Sequence, residues 1–192
     1  MKEMLRLSVV LTLVAAVAGL LLAQTHKLTE EPIRRAKRAE RVAALRKVLP
    51  AYDNEPDRNK CALQQAGRAW AFAVARKGGV FVGAAFESVS EKGYGGSIRV
   101  LVGVLPDGTV QGVEILEHRE TPGLGAKIAK DAFRKQFAGR PAAATNWAVD
   151  KDGGDIHAIT GATISSRAVV DAVKTGLAVY QKHTAEIAAT GE

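Results

Sequence analysis

The segment LSVVLTLVAAVAGLLLA, residues 7–23, carries no charge and is interrupted only by Ser8, Thr12 and Gly19. At about 1.5 Å of rise per residue, a helix of this length just crosses a thin hydrocarbon core. Such a run either stays in a membrane or leaves as a signal peptide. Lys2 and Arg6 precede it, and Ala16-Val17-Ala18 has the small-x-small form of a cleavage site. The apolar run continues past that point, which favours an uncleaved anchor. The two early cations set the amino terminus inside. The basic stretch at 34–47 argues the reverse by short-range charge counting, but a long following domain crosses regardless of charge. The expected organisation is a cytoplasmic stub at 1–6, a transmembrane anchor at 7–25, a stalk helix with linker at 26–66, and a globular domain at 67–192.

Composition narrows what that domain can be. Of 192 residues, 47% are hydrophobic, ordinary for one folded domain with an appendage. A single cysteine, Cys61, excludes an intramolecular disulfide, a CxxC pair and an all-cysteine iron–sulfur site. Its polar neighbourhood reads as a surface or half-buried thiol. His26, His118, His157 and His183 are scattered without metal-ligand spacing, so no metal site is expected. The net charge of +7 is concentrated in Arg34, Arg35, Lys37, Arg38, Arg41, Arg46 and Lys47, against Glu40 alone. Placed just after an apolar run and lacking interleaved aromatics, these charges fit a membrane-adjacent helix and not a nucleic-acid reader.

Thr29-Glu-Glu-Pro opens a helix in the expected way, with a capping hydroxyl, acids in the first turn and proline where no donor is needed. Ile33, Ala36, Ala39, Ala43, Leu45 and Leu49 give it a modest apolar stripe before Pro50. Residues 51–66 read as loop. From residue 69 the period changes: strand-like runs at 69–75, 80–88, 98–105 and 110–116 are divided by KGG, EKGYGG and PDG turns. A helical pattern returns at 126–137, a short strand is expected near 147–149, and Val169, Val173, Leu177 and Tyr180 mark one face of a terminal helix. Strands first and helices later predict an α+β fold, an antiparallel sheet with helices packed on it.

No P-loop, GxSxG elbow, HExxH or complete GxGxxG is present, so a hydrolase or Rossmann dehydrogenase is disfavoured. Two loops remain conspicuous. One is His118-Arg-Glu-Thr-Pro-Gly-Leu-Gly125, whose Pro122-Gly123 signals a turn. The other is Thr160-Gly-Ala-Thr163 at the start of the last helix, where Thr160 or Thr163 could be the helix cap. Free N–H groups and the positive end of the helix dipole at such a site suit an anion, phosphate in particular.

Thr160-Gly-Ala-Thr-Ile-Ser-Ser166 resembles the flavinylation motif of the FMN-binding domain family, in which the last threonine of [S/T]GAT carries FMN through a phosphoester. Glu120-Thr-Pro-Gly-Leu-Gly125 is similar to that family's second signature loop, and Tyr94-Gly-Gly-Ser-Ile98 to its glycine-containing segment before the sheet. The resemblance runs from about Gly93 to Tyr180. With an anchor ahead of it, the chain resembles flavoprotein subunits of the Rnf-type electron-transport family, which couple electron transfer between ferredoxin and NAD to ion movement. It implies FMN bonded to Thr163, with Thr160, Gly161 and Ala162 beside it. It further implies that Glu120, Thr121 and Leu124 contact the isoalloxazine, and that Gly123 and Gly125 keep that wall low. Arg167 could add a charge near the phosphate or stand in solvent. The implied partners are other subunits of a membrane complex and a flavin transferase using FAD and magnesium. The implied setting is a bacterial inner membrane with the domain on the extracytoplasmic side, where a bonded flavin cannot diffuse away.

The sequence departs from the family at His157, where an aspartate usually stands three residues before the first motif threonine; Asp155 is out of register. That departure bears on the efficiency of modification. Two other readings remain. One is the subunit of a sodium-translocating NADH:quinone reductase that shares the domain. The other is a membrane-tethered binding or sensor module without flavin.

Overall fold

The structure is a computed structural model that describes residues 1–65 and 67–190, the side chain of Lys27 aside. The chain forms two compact units, Met1–Arg41 and Val42–Glu192.

The first unit is helix. Helix α1 (Lys2–Val48) runs unbroken through Pro32, so the separate stalk helix expected to begin at Thr29 does not form. Thr29 turns its hydroxyl back to the carbonyls of Thr25 (2.8 Å) and His26 (3.2 Å), the mid-helix alternative to capping. Its most apolar 18-residue window has a mean hydropathy of 2.4, long and apolar enough to cross a membrane by length and composition.

In the second unit, five strands form an antiparallel meander in the order β1-β2-β3-β4-β5: β1 (Lys60–Gln65), β2 (Arg68–Lys77), β3 (Val80–Ser90), β4 (Ile98–Val104) and β5 (Val110–Glu117). This is the predicted α+β architecture, with one strand in the sheet, β1, that was not expected. Strand β1 falls within the presumed 51–66 loop. KCALQQ offers only two inward apolar side chains, Cys61 and Leu63, because it is an edge strand with one solvated face. Cys61 is accordingly buried in the core and not at the surface.

The sheet is covered on both faces. On one, Phe72, Val74, Phe86, Val100 and Val102 meet helix α3 (Thr163–Ala189) through Val169, Val173, Leu177 and Tyr180. This is the apolar stripe read from the sequence. Gly176 lets α3 approach closely: a Cβ there would lie 1.9 Å from Phe86 Cε2. The Arg76 guanidinium donates to Gly79 O (2.7 Å), to Ala188 O and to Thr190 O (3.2 Å), placing a cation where the last turn of α3 leaves carbonyls unpaired.

The opposite face is lined by Ala73, Ala75, Ala85 and Leu101, and the end of α1 lies on it through Ala44, Leu45 and Val48, with Leu49 beyond. Gly103 and Gly112 face each other across β4 and β5 beneath this helix end. A Cβ on Gly103 would sit 1.8 Å from Val48 O, so contact is backbone-close. Residues 42–49 thus belong to the globular unit.

Two further expectations are corrected. The helix predicted at 126–137 divides into a 3-10 turn (Gly125–Ala129) and a single-turn α2 (Asp131–Arg134). Lys130, extended at φ −79° and ψ 147°, breaks the register so that Ile128, Phe133 and Phe137 can all enter the core. The strand expected at 147–149 is only an isolated bridge between Val149 and Ile156; Trp147 is held by stacking on Phe137 and by its indole donating to Ala142 O (3.0 Å).

Candidate functional site

Both conspicuous loops open onto one cavity. It has a volume of about 550 Å³ and is lined by residues from four segments: Tyr94; Glu120, Thr121, Leu124 and Gly125; Lys151; and residues 161–165. That volume is in the range of small-molecule sites, roughly 300–1,000 Å³. Chemistry-bearing residues far apart in the sequence meet here because β4 and β5 form a hairpin whose open end delivers residues 93–98 and 118–125 to the same side, and α3 starts beside them.

Helix α3 begins at Thr163 with Ala162 as its N-cap, and no side chain caps it. Neither Thr160 nor Thr163 plays that role. The N–H groups of Thr163, Ile164 and Ser165 are the first three of the helix and have no carbonyl one turn earlier within it. Ser166 closes the preceding turn instead: its hydroxyl accepts from Ile159 N–H (3.0 Å) and donates to Ala162 O (3.0 Å). Gly161, at φ +80°, takes the left-handed conformation that lets the chain turn into the helix.

The ETPGLG loop is fastened from within. Glu120 is only 5% exposed. One of its oxygens accepts the Ser165 hydroxyl (2.5 Å) and the other accepts the Gly95 N–H (3.0 Å). Gly125 packs on this junction, since a Cβ there would meet Glu120 Oε2 at 2.6 Å and Ser165 Oγ at 2.7 Å. Gly125 therefore serves the packing behind the cavity, while Gly123, at φ +77°, serves the turn and has no atom crowding it. Leu124 is 48% exposed, Ile164 47% and Tyr94 72%. These are three of the few large apolar side chains left open on this unit, and all three line the cavity.

Of the residues singled out from sequence, the structure brings Glu120, Thr121, Leu124, Gly161, Ala162 and Thr163 to the cavity wall, while Thr160 and Gly123 are exposed and do not line it. Arg167 also points elsewhere, making a bidentate pair with Asp152 at 2.7 and 2.6 Å. That pairing holds the Asp152 carboxyl below the usual range and raises the Arg167 guanidinium. The cation at the cavity is Lys151, which its sequence context gave no reason to choose.

His157 is 81% exposed at its side chain, with Nδ1 3.2 Å from Asp150 Oδ2. Its backbone is fixed by Gln136, whose amide accepts from His157 N–H (2.8 Å) and donates to His157 O (3.3 Å). Asp150 also accepts the Ala158 N–H (3.0 Å), and that bond, with His157 beside it, lowers the Asp150 carboxyl pKa. An acid thus stands beside the motif, supplied by a neighbouring turn.

Residues 93–178 match the FMN-binding domain model, and residues 1–48 match the model of the RnfG N-terminal region. The chain is 41% identical to the G subunit of the ion-translocating oxidoreductase complex of Cereibacter sphaeroides, over 93% of this chain and 85% of that protein. It is 39% identical to the G subunit of the same complex in Aliivibrio fischeri, covering 94% and 91%. In fold it is similar to the C subunit of the Na(+)-translocating NADH-quinone reductase of Parabacteroides distasonis, with TM-score 0.54 and 20% identity over 76% of this chain and 83% of that one. NqrC of Shewanella oneidensis gives TM-score 0.52 and 20% identity, over 74% and 70%. The likeness to these two structures is one of fold, whereas the sequence identity lies with the G subunits: this chain belongs to the RnfG family of ion-translocating oxidoreductase complexes and carries its FMN-binding domain.

Proposed function

We propose that this chain is an electron carrier within such a complex, holding FMN through a phosphoester on Thr163. The observation that carries the reading is the position of Thr163: first residue of an uncapped 27-residue helix, at the wall of a cavity with apolar sides. The residues fit FMN chemically. A phosphodiester on the Thr163 hydroxyl would be held by the unpaired N–H groups and dipole at the start of α3, with Lys151 as the cation lining the same cavity. Tyr94, Leu124 and Ile164 offer apolar surface to a planar ring. Bound FMN supplies the redox chemistry; the protein holds and orients it and tunes its surroundings.

Attachment forms the bond from Thr163 Oγ1 to the FMN phosphorus and breaks the FAD pyrophosphate, releasing AMP, with a flavin transferase as the catalyst. The apolar part of α1 anchors the chain in the bacterial cell membrane, single-pass, with Val42–Glu192 on the extracytoplasmic side. Other subunits of the complex deliver and remove electrons. An NqrC identity is not favoured, because those neighbours share fold at 20% identity only.

The test is intact mass and peptide mapping of protein from a host with an active transferase. The expected increment is one FMN less one water, on the peptide containing Thr163. Thr163→Ala should remove in-gel flavin fluorescence after denaturation, and Thr160→Ala should retain it. An unmodified wild-type chain from that host would favour the flavin-free binding module, with His157 as its explanation.

A further inference from the structure

Glu120 is a buried carboxylate at the cavity with no Lys or Arg paired to it among the described residues. An unpaired buried charge is costly unless hydrogen bonds and dipoles hold it. Here both oxygens are acceptors, one for the Ser165 hydroxyl and one for the Gly95 N–H, and the N-terminus of α3 points its positive end nearby. Space around the carboxylate is closed by one glycine from another segment and one from its own loop. A Cβ on Gly93 would lie 2.7 Å from Oε1, and one on Gly125 2.6 Å from Oε2. The turn at residues 93–95, the 120–125 loop and the first turn of α3 thus close around this one side chain.

We infer that Glu120 is a positioning residue that ties the turn bearing Tyr94 to the first turn of α3 bearing Thr163, and that its charge sets the reduction potential of the group bound there. The inference rests on the proposed flavin for its second half; the tie itself is made by the chain's own residues. Ser165 is two residues beyond Thr163, so loss of its partner frees the turn that presents the Thr163 hydroxyl. A glutamine at 120 has one acceptor oxygen and one donor amide, so either Ser165 or Gly95 loses its acceptor. A negative charge lining a partly enclosed cavity is weakly screened and opposes placing an electron on a ring beside it.

The experiment compares wild type, Glu120→Gln and Ser165→Ala as full chains in detergent. Amide hydrogen exchange on protein made without transferase reads the tie. Glu120→Gln should exchange several-fold faster than wild type at Ser166 and the next amides of α3, the first in that helix with carbonyl partners, at Gly95 or at both. Ser165→Ala should do so at those α3 amides alone. Wild-type exchange in either variant overturns the tie, and Ser165→Ala decides it should Glu120→Gln fail to fold. On flavinylated protein, Glu120→Gln should shift the midpoint potential upward. Ser165→Ala, which keeps the charge, should shift it less. An unchanged potential in flavin-loaded Glu120→Gln overturns the electrostatic half. Wild type without flavin in the same host counts against the proposed function, while the exchange comparison still decides the tie.

Discussion

Leu45→Ala should destabilise the Val42–Glu192 unit by about 3–4 kcal/mol, within the usual span of roughly 2–5 kcal/mol for deleting a buried leucine. Leu45 is 1% exposed and packs with Ala73, Ala75, Ala85 and Leu101. Three of these are alanines, with no long side chain to swing into the space left behind. The helix cannot settle closer either, because Val48 already rests on the Gly103 backbone, where even a Cβ would come within 1.8 Å of its carbonyl. The cavity therefore persists, which puts the cost in the upper half of the range. Urea denaturation followed by the fluorescence of Trp70 and Trp147, both buried in this unit, reads it. With an m-value of about 2 kcal/mol/M, the midpoint should fall by roughly 1.5–2 M. Ile33→Ala is the control: that side chain, on the same sequence stripe, is 51% exposed, and its loss should cost less than about 0.5 kcal/mol. A Leu45→Ala midpoint indistinguishable from wild type would refute the view that the end of α1 is part of the domain's packing.

Tyr180 donates to Leu105 O (3.0 Å), and burial, with the Asp107 charge second, pushes its pKa from 10.0 up to about 12. Below pH 10 folded and unfolded chains both keep the proton; between 10 and 12 only the unfolded chain releases it, so stability falls with rising pH by roughly 2–3 kcal/mol. Tyr180→Phe should abolish that alkaline loss in a pH series of melting curves, at a cost of about 1 kcal/mol at neutral pH for the missing hydrogen bond. Gly176→Ala sets two effects against each other. Alanine gains about 1 kcal/mol in helix propensity, while its Cβ collides with the Phe86 ring, typically costing about 1–3 kcal/mol. The collision should win, and a higher melting temperature for Gly176→Ala would show that Phe86 yields freely.

Much of the fold was legible where the hydrophobic period was strong. Strands β2 to β5 followed from apolar runs set off by turn residues, and the face of α3 from 3.6-residue spacing, since each buries a continuous row of side chains. Strand β1 was hidden because an edge strand with a solvated face needs only Cys61 and Leu63 inside. The helix expected at 126–137 was misread because Ile128, Phe133 and Phe137 reach the core by way of an extended Lys130, with apolar spacing that imitates one helix. At the site, the two motif loops were visible as residue types. Their fastening was not: Glu120 finds Ser165 45 positions away, and no local pattern encodes that bond.

The sequence alone determined that one apolar segment leads the chain, that an antiparallel sheet and a terminal helix follow, and that a family motif ends on Thr163. These depend on local composition and period. Tertiary structure decided which residues share the cavity: it brought in Tyr94, Lys151 and Ser165, turned Arg167 away onto Asp152, and left Thr160 and Gly123 outside. It also made Glu120 the buried centre of three segments and the last turns of α1 a layer of the domain. Such assignments are set by long-range packing and by the need of every buried polar atom for a partner, and neither can be read from spacing along the chain.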